Sequence, residues 1–231
     1  MDNRQQTFQF ENAFAEAFQF DNNTAVKEYH VMIHVNSSRL PYTTQLEAVM
    51  NAYNSLIDGP LKGAQAVFKR YFLSDAANQA DEIIVSDVTD CAKSIIQQAP
   101  LDGTKVALWV YLMTDVQTRL SPSGLYEVHH GDFRHLWNGS AHNMAANSEY
   151  QTRLLFNEYN MQLIEEGCTL EANCIRTWFF VNDVDLLLCQ ALLRRLGAAG
   201  QLWLKIILRG MVTQNAPLPK TVRRTVFEIH P

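Results

Sequence analysis

Cysteine is scarce in this chain: Cys91, Cys168, Cys174 and Cys189 are the only four, and no C-x-x-C pair occurs. That favours free thiols kept reduced over a disulfide framework. Cys168 and Cys174 are too far apart in sequence for the usual zinc spacing. No run approaches the roughly 20 apolar residues of a membrane-spanning helix. The first 29 residues contain no basic start followed by an apolar stretch, so no secretory leader is expected. Glycines such as Gly103, Gly131 and Gly139 form no phosphate loop, and G-x-S-x-G and H-E-x-x-H are absent. His129, His130, His135 and His142 crowd one segment. A metal site requires convergence of several ligands, but His135 falls in a strand pattern and His129-His130 precede a turn. These histidines read as surface or satisfied side chains, with no metal and no cofactor expected.

What the chain does have is a hydrophobic content of 47% against 19% charged residues, enough for a packed core in 231 residues. It also says one thing twice. Gln45, Asn51, Tyr53 and Asn54 recur without a gap as Gln151, Asn157, Tyr159 and Asn160. Each segment leads to an apolar strand carrying an arginine, Arg70 and Arg176, at the same offset. An internal repeat of this kind predicts two helix–strand units.

Along the chain, TFQF at 7–10 returns as AFQF at 17–20. Residues 1–28 therefore read as an N-terminal extension or an edge strand. Residues 29–35 alternate as a strand. Thr44 followed by Glu47 reads as a capping box opening a helix, whose stripe is Leu46, Val49, Met50, Tyr53 and Ile57. Strands are predicted over 66–73, 92–98 and 105–113, and a helix over 78–87. Asp102-Gly103 predicts a hairpin joining the last two of these strands. The first unit thus spans 29–117. After the Ser121–Gly124 linker, a second unit spans 125–185, with strands at 125–128 and 133–141. Its helix, 149–166, has the stripe Leu155, Phe156, Tyr159 and Leu163 and stops at Gly167. A final strand covers 173–181.

From Leu186 onward the chain changes character. Seven bases face one acid, Glu228, whereas the preceding residues hold 12 bases and 23 acids. Three explanations of this 186–231 tail stay open: a replaced or frame-shifted ending, a divergent C-terminal helix, or a nucleic-acid arm. The last has little to stack bases on, since Trp203 and Phe227 are its only aromatics.

The stretches GDFRHLWNGSAHNMAANSEYQTRLLFNEY (131–159) and CIRTWFFVNDVD (174–185) resemble the RidA/YjgF family, also called endoribonuclease L-PSP or Rid proteins. They are also similar to the related chorismatase-type proteins. QLEAVMNAY, AVFKRYFLSD and KSIIQQAPLDGTKVALWVYL carry a more divergent form of the same resemblance in the first unit. It implies an α+β fold of two RidA-like units, each a mixed sheet with helices on one face, the second incomplete after Asp185. It also implies trimer-like homo-oligomers with ligands in clefts between subunits. The implied activity is hydrolysis of imines or enamines to ketoacids, in which an arginine fork grips the substrate carboxylate while water attacks the imine carbon.

Carried over residue by residue, the pattern is altered. Where the family has an arginine before Ser or Thr at the start of the penultimate strand, this chain has Lys93-Ser94. An acid expected in the final strand falls on Trp109. In the second unit the family's tyrosine-then-Gly pattern is partly kept, as Tyr126 and then Asn138-Gly139-Ser140 where the family usually shows Ser-Gly, and Arg176 lies on the repeat strand. Tyr126, Asn138, Gly139, Ser140, Arg176 and Lys93 are therefore the ligand-pocket candidates; catalytic residues are not assigned. The expectation is a cytoplasmic Rid-type protein that binds a small carboxylate or imine without full catalytic apparatus. The alternative is an imine or enamine hydrolase completed by another subunit. No membrane or nucleic-acid partner is expected, because an acidic body repels RNA.

Overall fold

The computed structural model describes residues 4–20, 25–130, 132–142, 148–180 and 224–230. It is a mixed α+β protein with a large mixed sheet and a few helices. The chain divides into two compact units, Met1–Leu120 with Val128–His130, and Ser121–Glu127 with Gly131–Pro231. Among the described residues no helix is long and apolar enough to cross a membrane.

In the first unit, β1 (Arg4–Gln9), β2 (Ala13–Phe20), β3 (Glu28–Val35), β4 (Ala64–Leu73), β5 (Ala92–Gln97) and β6 (Val106–Thr114) form one sheet. Their order is β1-β2-β3-β6-β4-β5. The two F-Q-F segments are thus paired strands of the sheet that holds β3. Strands β4 and β6 sit inside the sheet and read as almost continuous buried runs, as strands covered on both faces do. On β3, by contrast, Val31, Ile33 and Val35 are buried and their neighbours are not.

The hairpin expected at Asp102-Gly103 does not form. β4 pairs parallel with β5 and antiparallel with β6, so it lies between them. Asp-Gly makes the turn, with Gly103 at φ +78°, but the strands it joins are not neighbours. Both β4 and β6 are largely buried, and each buries more surface between two partners than it would at an edge.

Helix α1 (Tyr42–Asp58) lies over β2, β3 and β6, and α2 (Ala76–Ser86) over β4 and β5. Leu46, Val49 and Leu56 of α1 and Ile83 of α2 share one core with Val31, Ile33, Leu108 and Leu73, so both helices cover the same sheet face. Small residues on β2, Ala13, Ala15 and Ala17, complete that face and leave room for close helix approach. The capping box is not what starts α1. The helix begins two residues before Thr44, with Pro41 at the N-cap position and no side-chain cap. Its buried stripe also shifts slightly: Ala52 and Leu56 are buried, while Met50 and Ile57 are half-buried.

The start of α1 is organised by Gln45, which is fully buried. Its Nε2 donates to Leu40 O at 2.7 Å and its Oε1 accepts from Lys105 N–H at 2.7 Å. One carboxamide thus joins the loop before α1 to the entry of β6.

The second unit contains β8 (Tyr126–His130, which straddles the division), β9 (Phe133–His142), α3 (Ser148–Glu165), α4 (Leu170–Asn173), β10 (Cys174–Phe179) and β11 (Arg224–His230); β7 (Gln117–Leu120) precedes it. Leu155, Phe156, Tyr159 and Leu163 of α3 are all buried, in one cluster with Leu125 and Leu136. Gly167 takes φ +66° where the helix stops, a left-handed conformation that favours glycine. Arg134 of β9 ties the helix end down, donating to Glu166 Oε2 at 2.5 Å and Glu166 O at 2.8 Å. Strand β11 runs parallel to both β10 and β9 and lies between them. The remainder of the basic tail lies outside the described residues.

Candidate functional site

The residues singled out from sequence are distributed over both units. Lys93 stands on β5 directly beside Lys69 of β4. Its ammonium donates to Asp87 O at 2.8 Å and Thr89 O at 2.6 Å. Two of its three N–H groups therefore hold the loop that follows α2. Ser94, the next residue, is fully buried and points to the opposite sheet face, as alternation requires. Trp109, at the position expected to be acidic, lies flat against His30 with ring centroids 5.7 Å apart at 6°. The Arg70 guanidinium sits 5.2 Å over the same indole.

In the second unit, Tyr126 is half-buried on β8. Asn138 is buried on β9, its Nδ2 donating to Gln162 Oε1 of α3 at 3.2 Å. Gly139 and Ser140 follow on the same strand. Arg176 is exposed on β10, 5.5 Å from the Trp178 ring. Strand β11 separates it from β9. Asn138, Gly139 and Ser140 are thus held together, while Arg176 stands two strands away.

The segment after α2 carries a buried polar cluster that sequence reading did not single out. Lys69 Nζ is 3.0 Å from Asp87 Oδ1 and 3.1 Å from Oδ2, and donates to Thr89 Oγ1 at 2.8 Å. It also lies 3.7 Å from the Tyr53 ring centroid. Tyr71 OH donates to Asp87 Oδ2 at 2.7 Å, and Thr89 N–H donates to Asp87 Oδ1 at 3.0 Å. Burial raises the Asp87 carboxyl, but the Lys69 charge and the surrounding hydrogen bonds outweigh it and hold the group below its usual range. Burial pushes the neighbouring Cys91 thiol up to about 12. Lys69 is fully buried and every Asp87 oxygen is engaged, so this cluster supports β4, β5 and the 87–91 loop from within.

The first unit also has an open cleft. Its volume is ≈ 740 Å³, in the range of small-molecule sites. Gly63 and Gln65 enter it from the start of β4, Asp115, Gln117 and Arg119 from the β6–β7 segment, and His129 from β8. The backbone under it is anchored. Thr114 N–H donates to Lys27 O at 3.0 Å and Thr114 Oγ1 accepts from Lys27 N–H at 2.8 Å. Thr118 Oγ1 donates to Asp90 O, and Val116 is buried beneath the turn. Asp115 adopts φ 54°, a left-handed turn conformation that Asp tolerates better than most residues. The sequence signal for this cleft is the polar stretch TDVQTR that ends the apolar run of β6.

Among the described residues, no group of three or more His, Cys, Asp and Glu side chains is arranged to hold a metal ion. Compared with known proteins, the chain matches no family model, no curated protein and no solved structure.

Proposed function

We propose that the chain is built from two RidA-like units, the second incomplete, and that it binds a small carboxylated metabolite without hydrolysing it. The observation that carries this reading is Trp109. The position where the resemblance calls for an acid holds an indole stacked on His30 and under Arg70, and an indole neither takes nor gives a proton near neutral pH. Lys93 supports the same reading, since its ammonium is directed to two backbone carbonyls. The six-stranded sheet with α1 and α2 on one face is the arrangement the resemblance implies for the first unit.

The experiment is a 2-iminobutanoate hydrolysis assay on the full chain. No acceleration over buffer is expected. Turnover that Lys93→Ala abolishes would overturn the reading in favour of an imine or enamine hydrolase. That second reading has one observation behind it: Arg176 is exposed, so its guanidinium is accessible to a site shared with another subunit.

Self-association belongs to the same proposal. Ile84, Val85 and Val88, at the end of α2 and just beyond it, are 66%, 79% and 89% exposed, an apolar strip of the kind that protein contacts cover. Light scattering is expected to report an oligomer, and a well-behaved monomer would count against it. The cytoplasm is the compartment proposed, supported by the free thiols of Cys91, Cys168 and Cys174.

A further inference from the structure

The cleft beside the β6–β7 turn is lined by groups of both charges and by carboxamides. Arg119 contributes a guanidinium, Asp115 a carboxylate and His129 an imidazole, while Gln65 and Gln117 add amides that both donate and accept. All of these residues belong to the first unit. No aromatic or large aliphatic side chain other than Val116 contributes to the lining. Such a set of groups is matched by a ligand that is itself polar and carries both charges.

We propose that this cleft binds a small zwitterion of the α-amino-acid class, its carboxylate on the Arg119 fork and its ammonium on Asp115. The planar fork of arginine suits a carboxylate because two parallel N–H donors meet two oxygens. Asp115 is acceptor-only when ionised, so it complements an ammonium and repels a second carboxylate. The two side chains are four residues apart on a segment anchored at Thr114 and Thr118. The backbone that carries them is therefore held in place before binding. Gly63 leaves open space: a Cβ built there would meet nothing within 4 Å. The ligand's own side chain thus has room beside Gly63. Gln65, Gln117 and His129 provide hydrogen bonds for polar substituents.

This inference rests on the small-carboxylate reading for the anionic half of the ligand and goes beyond it in placing the ligand and requiring a cation. The test is calorimetric titration of the full chain with L-serine, L-glutamate, pyruvate and 2-oxoglutarate. The first two carry the ammonium and the last two do not. At least one amino acid is expected to bind, with affinity falling on the order of tenfold or more in Arg119→Ala and in Asp115→Asn. Arg119→Lys should recover only part of the loss, since it keeps the charge and not the fork. Arg119 and Asp115 are both exposed, so circular dichroism of the variants should match the parent. Binding of the oxo acids that neither substitution weakens would overturn the cleft assignment while leaving the small-carboxylate reading in place. Oxo acids bound more tightly than amino acids, with Arg119→Ala sensitive and Asp115→Asn not, would overturn the zwitterion. Heat from none of the four probes would overturn the cleft and count against the carboxylate reading as well.

Discussion

Lys69 and Asp87 face each other at 3.0 Å with side chains 0% and 1% exposed. A charge pair so thoroughly withdrawn from water is strongly asymmetric in its energetics. Removing one partner leaves the other charged and buried, which costs about 3–5 kcal/mol, whereas replacing both by apolar groups of similar size removes the desolvation cost along with the attraction. Asp87→Asn is therefore expected to lower unfolding free energy by about that amount in urea titrations. Lys69→Met combined with Asp87→Leu is expected to recover much of the loss. Equal destabilisation by single and double variants would contradict this account.

The same carboxylate gives stability a defined acid limb. Asp87 is held below its ordinary value of 3.8 in the folded protein. A carboxyl depressed by folding stabilises the native state at pH values above its unfolded pKa, and that contribution is lost as pH falls through the folded pKa. Unfolding free energy should fall as the pH is lowered below about 4. Asp87→Asn should flatten that part of the curve, and an unchanged acid limb in the variant would assign it to other groups.

The repeat offers an internal control. Gln45 is fully buried and joins Leu40 O to Lys105 N–H, while its counterpart Gln151 is half-buried. Gln45→Ala removes both bonds, to the half-buried Leu40 and Lys105, and is expected to cost about 1–3 kcal/mol in all. Gln151→Ala is expected to stay within about 0.5 kcal/mol, as most substitutions away from buried networks do. Thermal denaturation of the two variants side by side decides it.

Burial holds the Cys91 thiol at about 12, so at neutral pH almost none of it is the reactive thiolate. In a Cys189→Ser background, a thiol-reactive chromophore should leave Cys91 unmodified until the protein unfolds. Cys174, only half-buried on β10, should react first. Peptide mapping after brief labelling identifies which residue carries the adduct.

Local pattern was a good guide wherever one periodicity dominated. The buried stripe of α3 was legible because Leu155, Phe156, Tyr159 and Leu163 recur at helical spacing, and β3 was legible because its burial alternates. The repeated tyrosines Tyr53 and Tyr159 are both buried, whereas Asn51 and Asn157 are both exposed, so part of the repeated signature marks helix packing. What could not be read was pairing between strands distant in sequence. Asp102-Gly103 signals a turn, but a turn does not say whether the strands it joins become neighbours. The Lys69–Asp87 pair was hidden for a similar reason: a lysine inside an apolar run gives no sign of a carboxylate 18 residues further on. The cleft around Arg119 is assembled from three separate segments, and no spacing rule links them.

The position of β6 has a consequence for how the first unit is made. β6 pairs with β3 on one side and β4 on the other, yet it is the last of the sheet's strands to be synthesised. Until it emerges from the ribosome, β3 and β4 each present an unpaired apolar edge to solvent. Closure requires contacts as remote as Glu28 with Met113, and pairings of that span form slowly. A nascent chain halted before Val106 is thus a species prone to aggregate and a natural client for chaperones, and the sheet becomes self-supporting only when this late central strand slots into place.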